Sequence, residues 1–292
     1  MSEKERGYSP EEEFEAEPQP HGSTEKLRQG AERVLGLALN QFEVEGREQL
    51  DAYQGEHPEA KFIIAQSHLS QLDGAGAIRA LGDKYDLQLA VDSQIQKMPM
   101  ESMLFKYMGK EDFTFLHHTK VGRSHIPTFD VRDFDELSDR MQAGKTPWIA
   151  VSPFSLKSEK MRPAGIGAVY LAHKTGSRIV PSAFALEGGS VSYMDALDWV
   201  KAAAGKLRKK NKGTYRIGQP MELEPIENFG IIEQVFRKRA DGEKVSLEER
   251  EEFSRVHKKL KEQEEIVARV IAAMLPEEQR GMYGSPNKPE SS

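Results

Sequence analysis

The chain has 292 residues, 38% of them hydrophobic, and a formal net charge of −6. It contains no cysteine, which excludes a disulfide framework, a thiolate nucleophile and a cysteine-based zinc site. No stretch reaches the roughly 18–20 consecutive apolar residues that span a bilayer, so the sequence reads as soluble or peripheral.

The charge is unevenly placed. Residues 1–25 hold eight glutamates against Lys4 and Arg6, while residues 26–292 balance at 39 acids and 39 bases. A segment so acidic, with three prolines by position 20, buries too little apolar surface to order itself. We therefore expect a disordered acidic tail over 1–22, one folded domain over 23–284 and a second short tail over 285–292. The first residues are acidic where a secretory signal is basic and then apolar. A neutral domain speaks against nucleic acid as a partner.

Ser23 or Thr24 is placed to cap a first helix, on which Leu27, Ala31, Val34, Leu35, Ala38 and Leu39 share one stripe. That stripe fits packing on the domain or facing a membrane. Residues 42–53 begin strand-like and turn at Gly46. Residues 61–66 (KFIIAQ) read as a buried strand, 74–81 as the helix after it and 87–91 as a further strand. The methionine-rich segment 97–108 suits core packing or the lining of an acyl-chain tunnel. A short strand at 113–116 and an amphipathic helix over 133–143 come next, then a buried strand at 148–151 (WIAV). A helix over 165–173 stopped by Gly176 and a strand at 179–184 complete the alternating part. Beyond it lie a helical stretch at 194–212 ending in KLRKKNK, a strand at 215–217 and a charged helix over 246–274. Ser246 and Glu249 have capping-box spacing. Alternating strands and helices predict an α/β fold, a largely parallel mixed sheet flanked by helices, with its site at the carboxyl ends of the strands.

His68 follows the 61–66 strand and stands five residues before Asp73. This pairing suits general-base catalysis on a hydroxyl. An imidazole, ordinarily titrating near pH 6.5, takes the proton as the oxygen attacks an acyl carbonyl. A carboxylate fixes its tautomer and stabilises the imidazolium.

With these motifs around it, the sequence resembles the lysophosphatidate acyltransferase family of phospholipid and glycerol acyltransferases. FEVEGREQL followed by FIIAQSHLSQLD is similar to that family's "v-G-x-E-x-L" strand and "v-s-N-H-x-S-x-x-D" motif. His68, Ser70 and Asp73 match, and Ser67 stands where asparagine is usual. Downstream, SPFSLKS (152–158), GAVYLA (167–172), IVPSAF (179–184) and MLPEEQRGMYG (274–284) follow in family order. The third motif departs from the family. Phe154 replaces the acidic residue, Ser155 the glycine and Leu156 the threonine, while Pro153 and Ser158 match and Lys157 substitutes for arginine. The second motif, a glycine followed by an arginine, has no clear counterpart. Leu116-His117-His118 occupies its region, and Arg123 is the nearest downstream arginine.

The resemblance implies a glycerol-3-phosphate acyltransferase-like fold with His68 as base and Asp73 as its orienting partner. Ser70, Arg123, Pro153, Phe154, Lys157, Ser158 and Arg162 are the residues it places at the substrate. The implied substrates are acyl-CoA or acyl-carrier protein as donor and a lysophospholipid-like acceptor, met in the cytoplasm at the inner face of the membrane. No cofactor and no metal are implied; His117, His118 and His125 lack the carboxylates or helical spacing of a metal site. The basic run 206–212 fits docking on anionic lipid or a solvated turn. Two rivals remain open. One is a non-catalytic lipid-binding homologue, motivated by Phe154; the other, an unrelated α/β hydrolase, lacks the Gly-x-Ser-x-Gly elbow it requires.

Overall fold

A computed structural model describes residues 23–93, 110–120, 127–153, 160–187 and 211–284. The two tails, most of the 194–212 stretch and the methionine-rich 97–108 segment lie outside the described residues.

Helix α1 (Glu25–Ala38) starts at Thr24, whose Oγ1 accepts the Leu27 N–H at 3.2 Å. Its stripe Leu27, Ala31, Leu35 and Ala38 is buried against the domain, which decides between the two faces the sequence left open. Strand β1 (Gln41–Glu45) turns into α2 (Arg47–Glu56) at Gly46. Its φ of 82° and the Ile217 carbonyl beside its Cα exclude a side chain there. Strand β2 (Phe62–Gln66) is buried at every position, as its unbroken apolar run requires, and leads into α3 (Asp73–Leu81). Strands β3 (Leu87–Asp92), β4 (Phe113–Leu116), β5 (His118–Lys120) and β6 (Pro127–Phe129) precede α4 (Val131–Gln142). Then come β7 (Thr146–Ala150), α5 (Gly167–Thr175), β8 (Arg178–Glu187), β9 (Lys212–Ile217), α6 (Gly230–Ala240) and α7 (Leu247–Ala273). The capping box at Ser246 and Glu249 is formed, with both reciprocal hydrogen bonds present. The sequence pattern missed α6 and the antiparallel β5–β6 pair.

Seven strands form one sheet in the order β1-β9-β8-β2-β7-β3-β4. β8, β2, β7, β3 and β4 run parallel to one another, while β9 pairs antiparallel with β8 and carries β1 parallel to itself. The fold is the expected α/β mixed, mostly parallel sheet between helices. Two apolar cores cover its faces. One gathers α1 and α3 against Phe62, Ile64, Trp148 and Tyr215; the other gathers α4 to α7 against Ile63, Ala65, Ile149 and Ile179. No described helix is long and apolar enough to cross a membrane.

The connections fix where a ligand can sit. From β2 the chain leaves through α3 on one face and returns as β3, passing over β7. From β7 it leaves through α5 on the opposite face and returns as β8, passing over β2. Adjacent parallel strands whose connections depart to opposite faces open a crevice at their carboxyl ends. β2 and β7 are such a pair.

Candidate active site

Beyond the end of β2, the chain must turn back to start α3, and the turn is organised by one carboxylate. Asp73 Oδ2 accepts the backbone N–H groups of Leu69 at 2.7 Å and Ser70 at 2.9 Å, and stands 2.9 Å from His68 Nδ1. A carboxylate only accepts, so Nδ1 carries a proton and donates it to Asp73. Asp73 is wholly buried, whereas the His68 side chain is 24% exposed. The ring packs edge-on against Trp148, centroids 6.2 Å apart, which limits its rotation. The structure joins directly the two residues that the sequence singled out.

Burial pushes the Asp73 carboxyl above the ordinary carboxylate range, while His68 and the Ser70 and Leu69 N–H groups pull it back. Its second oxygen, Oδ1, has no hydrogen-bond partner among the described residues. Beneath it lies a polar group that sequence reasoning did not find. Gln66 Oε1 is 2.7 Å from both Trp148 Nε1 and the Tyr215 hydroxyl, and Gln66 Nε2 reaches the Asp73 carbonyl at 3.5 Å. Tyr215 also stands 3.1 Å from Ser182 Oγ, itself bonded to the Ala65 carbonyl at 3.3 Å. Gln66, Ser182 and Tyr215 are fully buried. The one available signal was a glutamine closing an otherwise apolar buried strand.

The crevice wall on the β7 side is Ser152, whose Oγ accepts the His68 backbone N–H at 3.4 Å; Val151 N–H reaches the Gln66 carbonyl at 2.8 Å. Pro153 follows and is exposed. Ser70 is buried, and its Oγ accepts the Leu72 N–H at 3.0 Å, holding the turn. Arg162 is exposed on a loop that Met161 ties to Gln279 and Ala164 to the Tyr283 hydroxyl, and no described contact joins it to His68. Arg123, Phe154, Lys157 and Ser158 lie outside the described residues. Among the described residues there is no group of three or more metal-ligating side chains.

The fold and the site together define an α/β protein with a dyad of a buried aspartate and a partly exposed histidine at the switch point of a mostly parallel sheet. No family model matches the chain, and no curated protein does. Among solved structures it is similar to the 1-acyl-sn-glycerophosphate (LPA) acyltransferase PlsC from Thermotoga maritima. The two share 15% identity over 74% of this chain and 77% of that one, with a TM-score of 0.44.

Proposed function

We propose that the protein is an acyltransferase that moves a fatty acyl group from acyl-CoA or acyl-carrier protein to a hydroxyl of a glycerolipid-like acceptor. The observation that carries this reading is the 2.9 Å contact between the buried Asp73 Oδ2 and Nδ1 of the partly exposed His68. His68 Nε2 takes the acceptor's hydroxyl proton as its oxygen attacks the thioester carbonyl. The C–S bond then breaks, and the imidazolium returns the proton to the leaving thiolate. Asp73 stabilises the imidazolium between these steps. The acyl group passes directly to the hydroxyl, a route that suits a chain without cysteine. Pro153, Lys157 and Ser158 belong, on this reading, to the acceptor loop after β7.

Purified protein incubated with labelled acyl-CoA and a panel of lysolipids and alcohols should release free CoA and labelled ester. His68→Ala should lower kcat by about 10²- to 10⁴-fold. A thermal melt of the variant checks that the fold survives the loss of the 2.9 Å contact with Asp73. Turnover that survives the substitution refutes the mechanism. Saturable lipid binding without turnover in the wild type would replace it with a non-catalytic lipid-binding role.

A further inference from the structure

A histidine held by one hydrogen bond is only half placed. The 2.9 Å contact between His68 Nδ1 and Asp73 Oδ2 fixes one corner of the ring and leaves the ring free to swing about that contact. A second restraint is the indole of Trp148, which meets the imidazole at 86° with centroids 6.2 Å apart. The register of the sheet shows what this contact requires. Trp148 on β7 pairs with Ile64 on β2, two residues short of Gln66 at the strand's end. Ile64 and Gln66 point to one face of the sheet, and Trp148 packs on that face with Ile64 and Tyr215. The indole therefore leans forward along the sheet, past the level of Ile64, to reach His68.

Gln66 catches it there. Trp148 Nε1 donates to Gln66 Oε1 at 2.7 Å, and the Tyr215 hydroxyl lies 2.7 Å from the same oxygen. An indole nitrogen only donates, so the amide oxygen faces it and the amide nitrogen faces away. On that side Gln66 Nε2 reaches the Asp73 carbonyl at 3.5 Å, a long contact at the first residue of α3. One carboxamide, two residues before His68 on the same strand, thus touches both residues that restrain its ring. Gln66, Asp73 and Trp148 are all buried, where hydrogen bonds are stronger than in water.

Stability alone does not call for this arrangement. A leucine closing β2 beside a phenylalanine at 148 would strand no polar group, because the Tyr215 hydroxyl keeps Ser182 Oγ at 3.1 Å. Replacing both partners of a buried hydrogen bond by apolar groups is nearly neutral. What the apolar pair would not supply is a fixed direction for the ring at position 148. Resting on the acyl-transfer reading above, we infer that Gln66 is a positioning residue for the general base: it holds the Trp148 indole against the His68 ring and ties that indole to the residue that holds Nδ1. Neither Gln66 nor Trp148 takes or gives a proton in the transfer step.

Four variants of the full chain test this: Gln66→Leu, Trp148→Phe, the two together, and Gln88→Leu as control. Gln88 is a fully buried glutamine on β3 whose Nε2 donates to Thr114 Oγ1 at 3.1 Å, with no described hydrogen bond to His68, Asp73 or Trp148. Each is read by thermal melt, by kcat and KM for acyl transfer, and by ¹³C relaxation at the His68 ring Cε1, which reports how firmly the ring is held. Gln66→Leu and Trp148→Phe should each lower kcat about 10- to 100-fold with KM within about threefold, and should loosen the ring. The double change removes donor and acceptor together, so Tm should recover toward wild type while kcat stays low and the ring stays loose. Gln88→Leu should keep kcat within about twofold and leave the ring as firm as in the wild type. A kcat that returns with Tm in the double change, or a ring as ordered in the variants as in the wild type, overturns the inference. Should Gln66→Leu fail to fold, Trp148→Phe and the double change decide by the same readings. A ring loosened as expected, in a wild type that transfers no acyl group to any acceptor, would instead refute the acyl-transfer reading and leave the placement of the ring standing.

Discussion

Replacing Asp73 by asparagine separates what the carboxylate does for the fold from what it does for chemistry. Asparagine keeps one oxygen, which can take the place of Oδ2 and accept the same N–H groups of Leu69, Ser70 and His68. The alternative flip would aim an NH₂ at three donors, so the orientation is determined. The amide nitrogen then falls where Oδ1 now stands without a partner, so no existing hydrogen bond is lost. The charge is lost. Burial holds the Asp73 proton to higher pH in the folded protein than in the unfolded chain. Its contribution to stability is therefore full in acid and falls as pH rises, and ionising it at neutral pH costs the fold. Asparagine removes that cost and leaves a buried NH₂ in exchange, two terms of similar size and opposite sign. Stability should change by less than about 1 kcal/mol, a shift in Tm of about 2–4 °C for a folded body of this size. Catalysis should fall by about 10³- to 10⁴-fold, because nothing then stabilises the imidazolium. Thermal melts at pH 7 and labelled acyl transfer measure the two effects on one sample. A variant that keeps kcat within about tenfold of wild type, or that loses more than about 10 °C of Tm, would refute this division of roles.

Two further substitutions probe the frame. Glu264 on α7 is buried, with neither carboxyl oxygen closing a hydrogen bond; burial pushes its pKa up to about 8, against a weak pull from the approaching Val169 N–H in the first turn of α5. Its stabilising contribution is complete below the unfolded carboxyl range and is lost as pH rises toward about 8, so Tm should decline between about pH 5 and pH 8, and Glu264→Gln should flatten much of that decline in pH-resolved melts. Lys145 Nζ lies 2.9 Å from Asp86 and 3.0 Å from Asp112, the latter wholly buried. Lys145→Met should cost about 3–5 kcal/mol in urea unfolding by stranding that charge, and the double change with Asp112→Asn should recover much of it.

The parallel strands were legible because each is a short apolar run between turn signals, and burial on both faces is what such runs require. Strand β4 matches its expected span residue for residue, and His68 was legible because a histidine at the end of such a strand stands where these sheets hold ligands. Helix α6 was not legible: its buried residues are only Ile232 and Val235, too few to draw a stripe through GIIEQVFRKRA. The Gln66–Trp148–Tyr215 network was hidden for a different reason. Its members come from three strands far apart in sequence, and each looks alone like ordinary core. His117 was noticed as a histidine but not as half of a pair, because Asp133 lies sixteen residues away across the β5–β6 excursion.

The two edges of the sheet treat polar groups in opposite ways, and this bears on where function resides. At the amino edge, before β3, β4 and β7, Asp86, Asp112 and Lys145 close a three-way ion pair. Thr24 adds a hydroxyl to Asp112 at 3.1 Å, and Ser23 binds the Tyr85 carbonyl and Leu87 N–H at 3.0 and 2.9 Å. Every charge there has a partner, and α1 is tied down by the same contacts. At the carboxyl edge, a buried carboxylate keeps one oxygen unpartnered among the described residues, and the Nδ1 atoms of two partly exposed imidazoles face buried carboxylates. An unsatisfied buried polar atom costs stability, and sites that break a local rule in this way are the places where a fold accommodates function. Stabilising substitutions should therefore be tolerated around Lys145 and should trade against activity around Asp73.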